Sequence, residues 1–250
     1  MSAEGRAIYD PRVSTREREL GRVVGIWRYP VKSMAEESLD EVDVSWHGLA
    51  GDRRWAFVQD GMPRSGFPWL TIRELPAMRH YHPFFADPAR PDDSHTLVQT
   101  PAGAELDVID PALARELGDG VRVIKQHVGV FDTLPLSLIT TQTIASLDAW
   151  VAPTLTPERF RPNLLVEAKS EHGFPEDEWI GSVLRIGGLQ MRVDTRDQRC
   201  VMINIDPDTD EKDADVLRTA AREREGCIGV YGATVLPGTV RIGDVVAVER

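Results

Sequence analysis

Between residues 21 and 60 apolar and polar side chains alternate at a period of two, in short runs cut by turn signals. GRVVGIWRYPV (21–31) is β-branched and aromatic and stops at a proline. SLDEVDVSW (38–46) alternates up to His47-Gly48, and RRWAFVQDG (53–61) runs into an Asp-Gly turn. Further short strands are predicted at HTLVQTP (95–101), AELDVI (104–109) and VRVIKQHVG (121–129), with a short helix over PALARELG (111–118). Such runs fit a barrel or a sandwich better than alternating β-α-β units, because closing or stacking a sheet is how an antiparallel architecture disposes of its edges.

From Leu136 the texture changes. TTQTIASLDAWV (140–151) reads as a helix, with Ile144, Leu147 and Trp150/Val151 on one apolar face and Thr140 or Thr141 placed to cap its start. RFRPNLLVEA (159–168) enters a strand through Arg-Pro-Asn. SVLRIGGLQMRVD (182–194) reads as a hairpin with Gly187-Gly188 at its tip. QRCVMINID (198–206) reads as another strand and DADVLRTAARERE (213–225) as a polar-faced helix. Two strands around Leu236-Pro237-Gly238 close the chain. The fold class expected is mainly β with a few helices (α+β). The division expected is a lead-in over 1–20, an N-terminal β-barrel-like domain over 21–128 and a second barrel over 129–250.

The net charge of −11 argues against a nucleic-acid surface and against docking on anionic lipid, though it leaves room for a locally positive pocket. No stretch approaches the length of apolar sequence that spans a membrane. The first 20 residues lack the apolar core of a secretion signal, and two cysteines, Cys200 and Cys227, make no disulfide framework, so a cytoplasmic location is expected. Of the 29 basic residues 25 are arginine, and Lys32 is the only lysine in the first 124 residues.

Cys200 lies in Asp197-Gln198-Arg199-Cys200, just before Asp206-Pro207-Asp208-Thr209 and 37 residues after Asn163. A neighbouring guanidinium favours the thiolate, the form that ligates metals and attacks electrophiles. A packed structural thiol is the alternative reading. Asp206, Asp208 and Asp210 imitate the start of a calcium loop, but Glu211 stands where that loop needs glycine. His80 and His82 have strand spacing for a metal without a third ligand nearby.

Six segments in one order, YPVKS (29–33), GDRRW (51–55) with TIRELPAM (71–78), RFRPN (159–163), GSVLRIGG (181–188), QRCVMINIDPDT (198–209) and the terminal GVYG…PGTVRIGDVV, resemble MOSC-domain proteins with an N-terminal β-barrel domain. The likeness extends to the amidoxime-reducing components and their bacterial counterparts, over about residues 21 to 248. The resemblance implies the molybdenum cofactor, with Cys200 as the ligand to the metal. It implies that Lys32, Ser33, Arg53, Thr133, Arg161, Asn163, Gln198, Arg199 and Tyr231 contact the cofactor, and that Asp206 stands near the metal in a catalytic role. Leu134 stands where the family often has serine, and Gln198 where it often has a small polar residue. A pyridoxal phosphate association also attaches to the family. The implied activity is reduction of small N-hydroxylated or N-oxide compounds. Because the sequence carries no cluster-binding cysteine set, electrons are expected from a separate protein: a ferredoxin, a cytochrome b5-like protein or a flavin reductase. The family's link to cofactor sulfuration keeps a second function open, a carrier with a persulfide on Cys200.

Overall fold

The computed structural model describes residues 17–60, 68–151 and 154–248. The first half carries β1 (Arg18–Arg28), β2 (Glu37–Ser38), β3 (Glu41–Ser45), β4 (Gly48–Leu49), β5 (Trp55–Gln59), β6 (His82–Phe85), β7 (Thr96–Gln99), β8 (Glu105–Asp107), helix α1 (Pro111–Leu117) and β9 (Val121–Lys125). The second half runs β10 (Leu136–Thr140), α2 (Thr141–Asp148), β11 (Leu164–Ala168), β12 (Val183–Ile186), β13 (Leu189–Gln198), α3 (Ala214–Arg224), β14 (Cys227–Leu236), β15 (Gly238–Arg241) and β16 (Val245–Val248). The chain is mainly β, as the period-two runs predict.

Seven strands close into a barrel in the order β11-β10-β14-β13-β12-β16-β1, with β1 returning to β11. The closing strand comes from the far end of the sequence. Gly21 pairs with Ala168 on one side of β1, and Arg22 pairs with Val245 on the other. A Cβ at Gly21 would lie 2.3 Å from the Glu167 carbonyl oxygen, so the closing seam needs glycine there. Of the lead-in expected over 1–20, residues 1–16 lie outside the described residues, while Arg18–Leu20 already belong to β1. Among the described strands only β10 and β11 pair in parallel, and α2 makes the crossover between them. The Thr140 hydroxyl caps α2 by accepting from the Thr143 N–H, and Ile144 and Leu147 face inward.

Three cores result. Val23, Ile26, Leu138, Leu164, Leu184 and Val246 fill the barrel. Val31, Met34, Phe57, Ile72 and Met78 pack beneath the N-terminal strands. Between these lies a third cluster, with Trp27, Tyr29, Phe160 and Ile203 among its members, packed with side chains of α2 and α3. The candidate site opens beside the last two, with Phe160, Ile203 and Met202 in its lining.

One expected element is corrected. QRCVMINID is not a strand: β13 ends at Gln198, and Val201–Asn204 forms a single 3-10 turn. The pairing of β13 with β14 slips between Arg196 and Gln198, and Arg199 N–H makes a last bond to the Gly226 carbonyl at 2.8 Å. The alternating Val201, Ile203 and Ile205 imitate a strand, yet Val201 is 52% exposed while Ile203 and Ile205 enter two different cores.

Candidate functional site

Residues of β13 and β14, together with loop residues from both halves of the chain, line one cleft of about 180 Å³. Nine of the eleven residues singled out from the sequence line it: Lys32, Ser33, Arg53, Thr133, Arg161, Gln198, Arg199, Cys200 and Tyr231. Asn163 and Asp206 do not. Asn163 is 1% exposed and its amide is fully engaged. Its Oδ1 accepts from Ser137 N and Oγ, and its Nδ2 donates to the Trp27 carbonyl and to Asp52 Oδ2. Asp206 folds onto its own loop. Its Oδ1 accepts from the N–H groups of Asp208 and Thr209 and from the Thr209 hydroxyl, and its Oδ2 takes Arg159 Nη2 at 2.5 Å. The same loop holds His80, whose Nε2 is 2.7 Å from Asp210 Oδ2.

The backbone is strained around this cleft. Of the five non-glycine residues with positive φ among the described residues, Ser33 (69°), Arg53 (49°) and Arg161 (52°) all line it. Such conformations cost on the order of 1–3 kcal/mol each and persist where the surrounding structure enforces them. Here the enforcement is visible. Arg53 N–H donates to the Tyr29 carbonyl at 2.6 Å, and Arg161 N–H donates to the Glu158 carbonyl at 3.2 Å. Both guanidinium carbons lie over the buried Tyr29 ring, at 4.4 and 4.2 Å.

Among the described residues six cations and three carboxylates line the cleft, so it is positive inside a chain of net charge −11. Burial works against these charges. It pulls the Lys32 ammonium below its usual pKa, although Asp132 at 2.7 Å favours the charged form. It lowers Arg161 in the same way, with Arg53 adding repulsion. Burial pushes the Asp197 carboxyl up to about 6, against Arg199, whose Nη2 is 2.8 Å away. Arg199 is further clamped by donating from Nε to the Ile228 carbonyl and from Nη1 to the Phe160 carbonyl, both at 2.8 Å.

Among the described lining atoms Arg159 Nε is buried without a hydrogen-bond partner. Such an orphan in a cleft is unused donor capacity for a ligand. Sequence reasoning missed Arg73, Asp132, Arg159 and Asp197. Arg73 stood inside the TIRELPAM segment and Asp197 and Arg159 beside motif residues, but loop charges carry no period that marks them.

The MOSC domain family model matches residues 125–247, and that of the MOSC N-terminal beta barrel domain matches residues 20–132. The chain belongs to the MOSC family. Molybdenum cofactor sulfurase of Drosophila erecta is 26% identical over 268 aligned residues, which take in 88% of this MOSC protein and 34% of the sulfurase. The chain thus spans about a third of the length of the sulfurases it matches. Mitochondrial amidoxime-reducing component 1 of Mus musculus is 23% identical over 290 residues, 94% of this chain and 84% of its own. Among solved structures, the YUAD protein from Bacillus subtilis aligns over 93% of this chain and 97% of that one, at 13% identity and a TM-score of 0.48. No helix among the described residues is long and apolar enough to cross a membrane.

Proposed function

We propose that this cleft binds the molybdenum cofactor and that the protein is an oxidoreductase acting on small N-hydroxylated or N-oxide compounds. One observation carries the reading: a partly exposed thiol, Cys200, opens into a cleft with a twofold excess of cations over carboxylates. The residues fit the group. Thiolate suits a soft redox-active metal. The unpartnered Nε–H of Arg159 and the rigid fork of Arg161 suit a phosphate. Lys32, Ser33 and Arg53 offer a second set of contacts from the N-terminal segments, and Thr133, Gln198 and Tyr231 offer neutral donors and acceptors.

When bound, the cofactor supplies the two-electron chemistry that removing oxygen from nitrogen requires, and the protein supplies orientation and electrostatics. Arg199, fixed by two carbonyls and Asp197, holds a positive charge beside the thiol without having to move. Asn163 contributes indirectly, by anchoring the turn that carries Arg161. Asp206 does the same for Arg159. Tyr231, whose phenol burial keeps protonated, places an exchangeable hydrogen in the cleft, and burial raises the Asp197 carboxyl there to about 6. Electrons come from a separate protein, in a reducing compartment such as the cytosol that keeps Cys200 a thiol.

The test is turnover with an artificial donor. Protein from a cofactor-replete host should oxidise a reduced viologen when benzamidoxime is added, and Cys200→Ser should not. Metal-loaded wild type that oxidises viologen no faster than Cys200→Ser would sink the reading.

The sulfurase relatives, matched over most of this chain, favour one alternative: a carrier of cofactor or sulfur with a persulfide on Cys200. Native mass spectrometry separates the two. One extra sulfur atom on Cys200 marks the carrier, and a noncovalent molybdopterin species marks the enzyme.

A further inference from the structure

We propose that Arg73 is the substrate-selecting residue of the cleft and that it favours N-oxygenated substrates carrying a carboxylate. The inference rests on the oxidoreductase reading and deepens it. It starts from the partners of the six lining cations. Lys32 donates to the Val130 carbonyl and to Asp132. Arg53 is held by Asp52 and the Arg161 carbonyl, and Arg161 donates to the Met34 carbonyl. Arg159 is held by the Ile203 carbonyl and Asp206, and Arg199 by two carbonyls and Asp197. These five are tied to protein oxygens.

Arg73 differs from all of them. It shares the cleft with Cys200, and among the described residues no protein oxygen takes a hydrogen bond from its guanidinium, Asp132 and Glu74 acting on it only through space. It is also exposed, whereas the side chains of Lys32, Arg159 and Arg199 are at most 9% exposed. A molecule entering from solvent therefore meets Arg73 on its way to the thiol.

The loop holds the backbone under this side chain in one place. Glu74 N–H and Leu75 N–H both donate to the Thr71 carbonyl, and Glu74 Oε2 accepts from Thr71 N and Oγ1. That commits Glu74 Oε2 to its own turn and keeps it from answering Arg73 in full. Leu70 and Ile72, on either side of Thr71, are buried in the N-terminal core and pin the turn. Trp69 adds a flat apolar wall to the same cleft. A planar guanidinium fork matches the two oxygens of a carboxylate, and an aromatic wall matches a flat substrate body.

The test compares wild type, Arg73→Gln and Arg73→Lys, each with its molybdenum content measured first. Turnover of benzamidoxime and of its para-carboxylate is followed with reduced viologen. Benzoate binding to the same proteins is measured by calorimetry. Wild type should prefer the carboxylated compound by about tenfold in kcat/KM, mainly through KM, the size of one charge-assisted pair. Arg73→Gln should bring that ratio near one and weaken benzoate by a similar factor, and Arg73→Lys should retain part of both. Turnover with a ratio that Arg73→Gln leaves unchanged would overturn the proposal while the oxidoreductase reading stands. With no turnover of either compound that reading fails, and the benzoate arm alone decides whether Arg73 grips a carboxylate.

Discussion

Asn163→Ala tests how the frame of the cleft is held. The wild-type amide makes four hydrogen bonds at a site that is 1% exposed. Alanine removes all four. The Ser137 N–H loses its acceptor, and the Trp27 carbonyl and the Asp52 carboxylate each lose a donor. A buried group left without its partner costs about 1–3 kcal/mol, which puts the variant roughly 3–5 kcal/mol below wild type. For a chain of this size that lowers Tm by about 10 °C. Thermal unfolding followed by circular dichroism measures it, and metal content per folded chain at low temperature shows whether the cleft still loads. Asn163→Asp should fall further, because it sets a second carboxylate 3.2 Å from Asp52 Oδ2. A Tm for Asn163→Ala within about 3 °C of wild type would refute the reasoning, since it would mean that water satisfies these groups.

Two further outcomes are expected. The Asp197 carboxyl, raised from 3.8 to about 6 by burial, favours its neutral form in the folded state. Its contribution to stability is full below pH 3.8 and is lost as pH rises through about 6. A separation of about two pH units corresponds to roughly 3 kcal/mol. Asp197→Asn should therefore gain stability relative to wild type between pH 4 and pH 7, and parallel Tm curves would contradict this. Gly229→Ala places a Cβ 2.8 Å from the Leu138 carbonyl and 3.3 Å from Arg199 Nη2, at a φ of +76°. It should cost about 2–3 kcal/mol in urea unfolding and disturb the clamp on Arg199, whereas an unchanged midpoint would show that the strand shifts freely.

The strands were legible because burial of one face writes a period of two into the sequence, and a cap at Thr140 or Thr141, of which the structure selects Thr140, because a hydroxyl precedes a helical run. Barrel closure was not. The pairs that achieve it, Gly21 with Ala168 and Arg18 with Val248, join residues more than a hundred positions apart, and local pattern says nothing of such partners. The turn after Cys200 was hidden for a different reason, since Val201, Ile203 and Ile205 alternate like a strand while serving separate surroundings. The residues around Cys200 stood out through a family resemblance. Composition would not have found them: Arg53, Arg161 and Arg199 are three arginines among 25. Arg73 and Asp197 emerge only when folding brings loops from both halves of the chain to one sulfur and one buried guanidinium.

The central claim is that Cys200 holds the metal of a molybdenum cofactor seated among these cations. Wild type and Cys200→Ser should be expressed with molybdate in a host that makes the cofactor, and molybdenum per chain measured by inductively coupled plasma mass spectrometry. The account predicts near-stoichiometric metal in wild type and a large loss in the variant, with both proteins folded. Equal loading of the two, or metal absent from both, would contradict it.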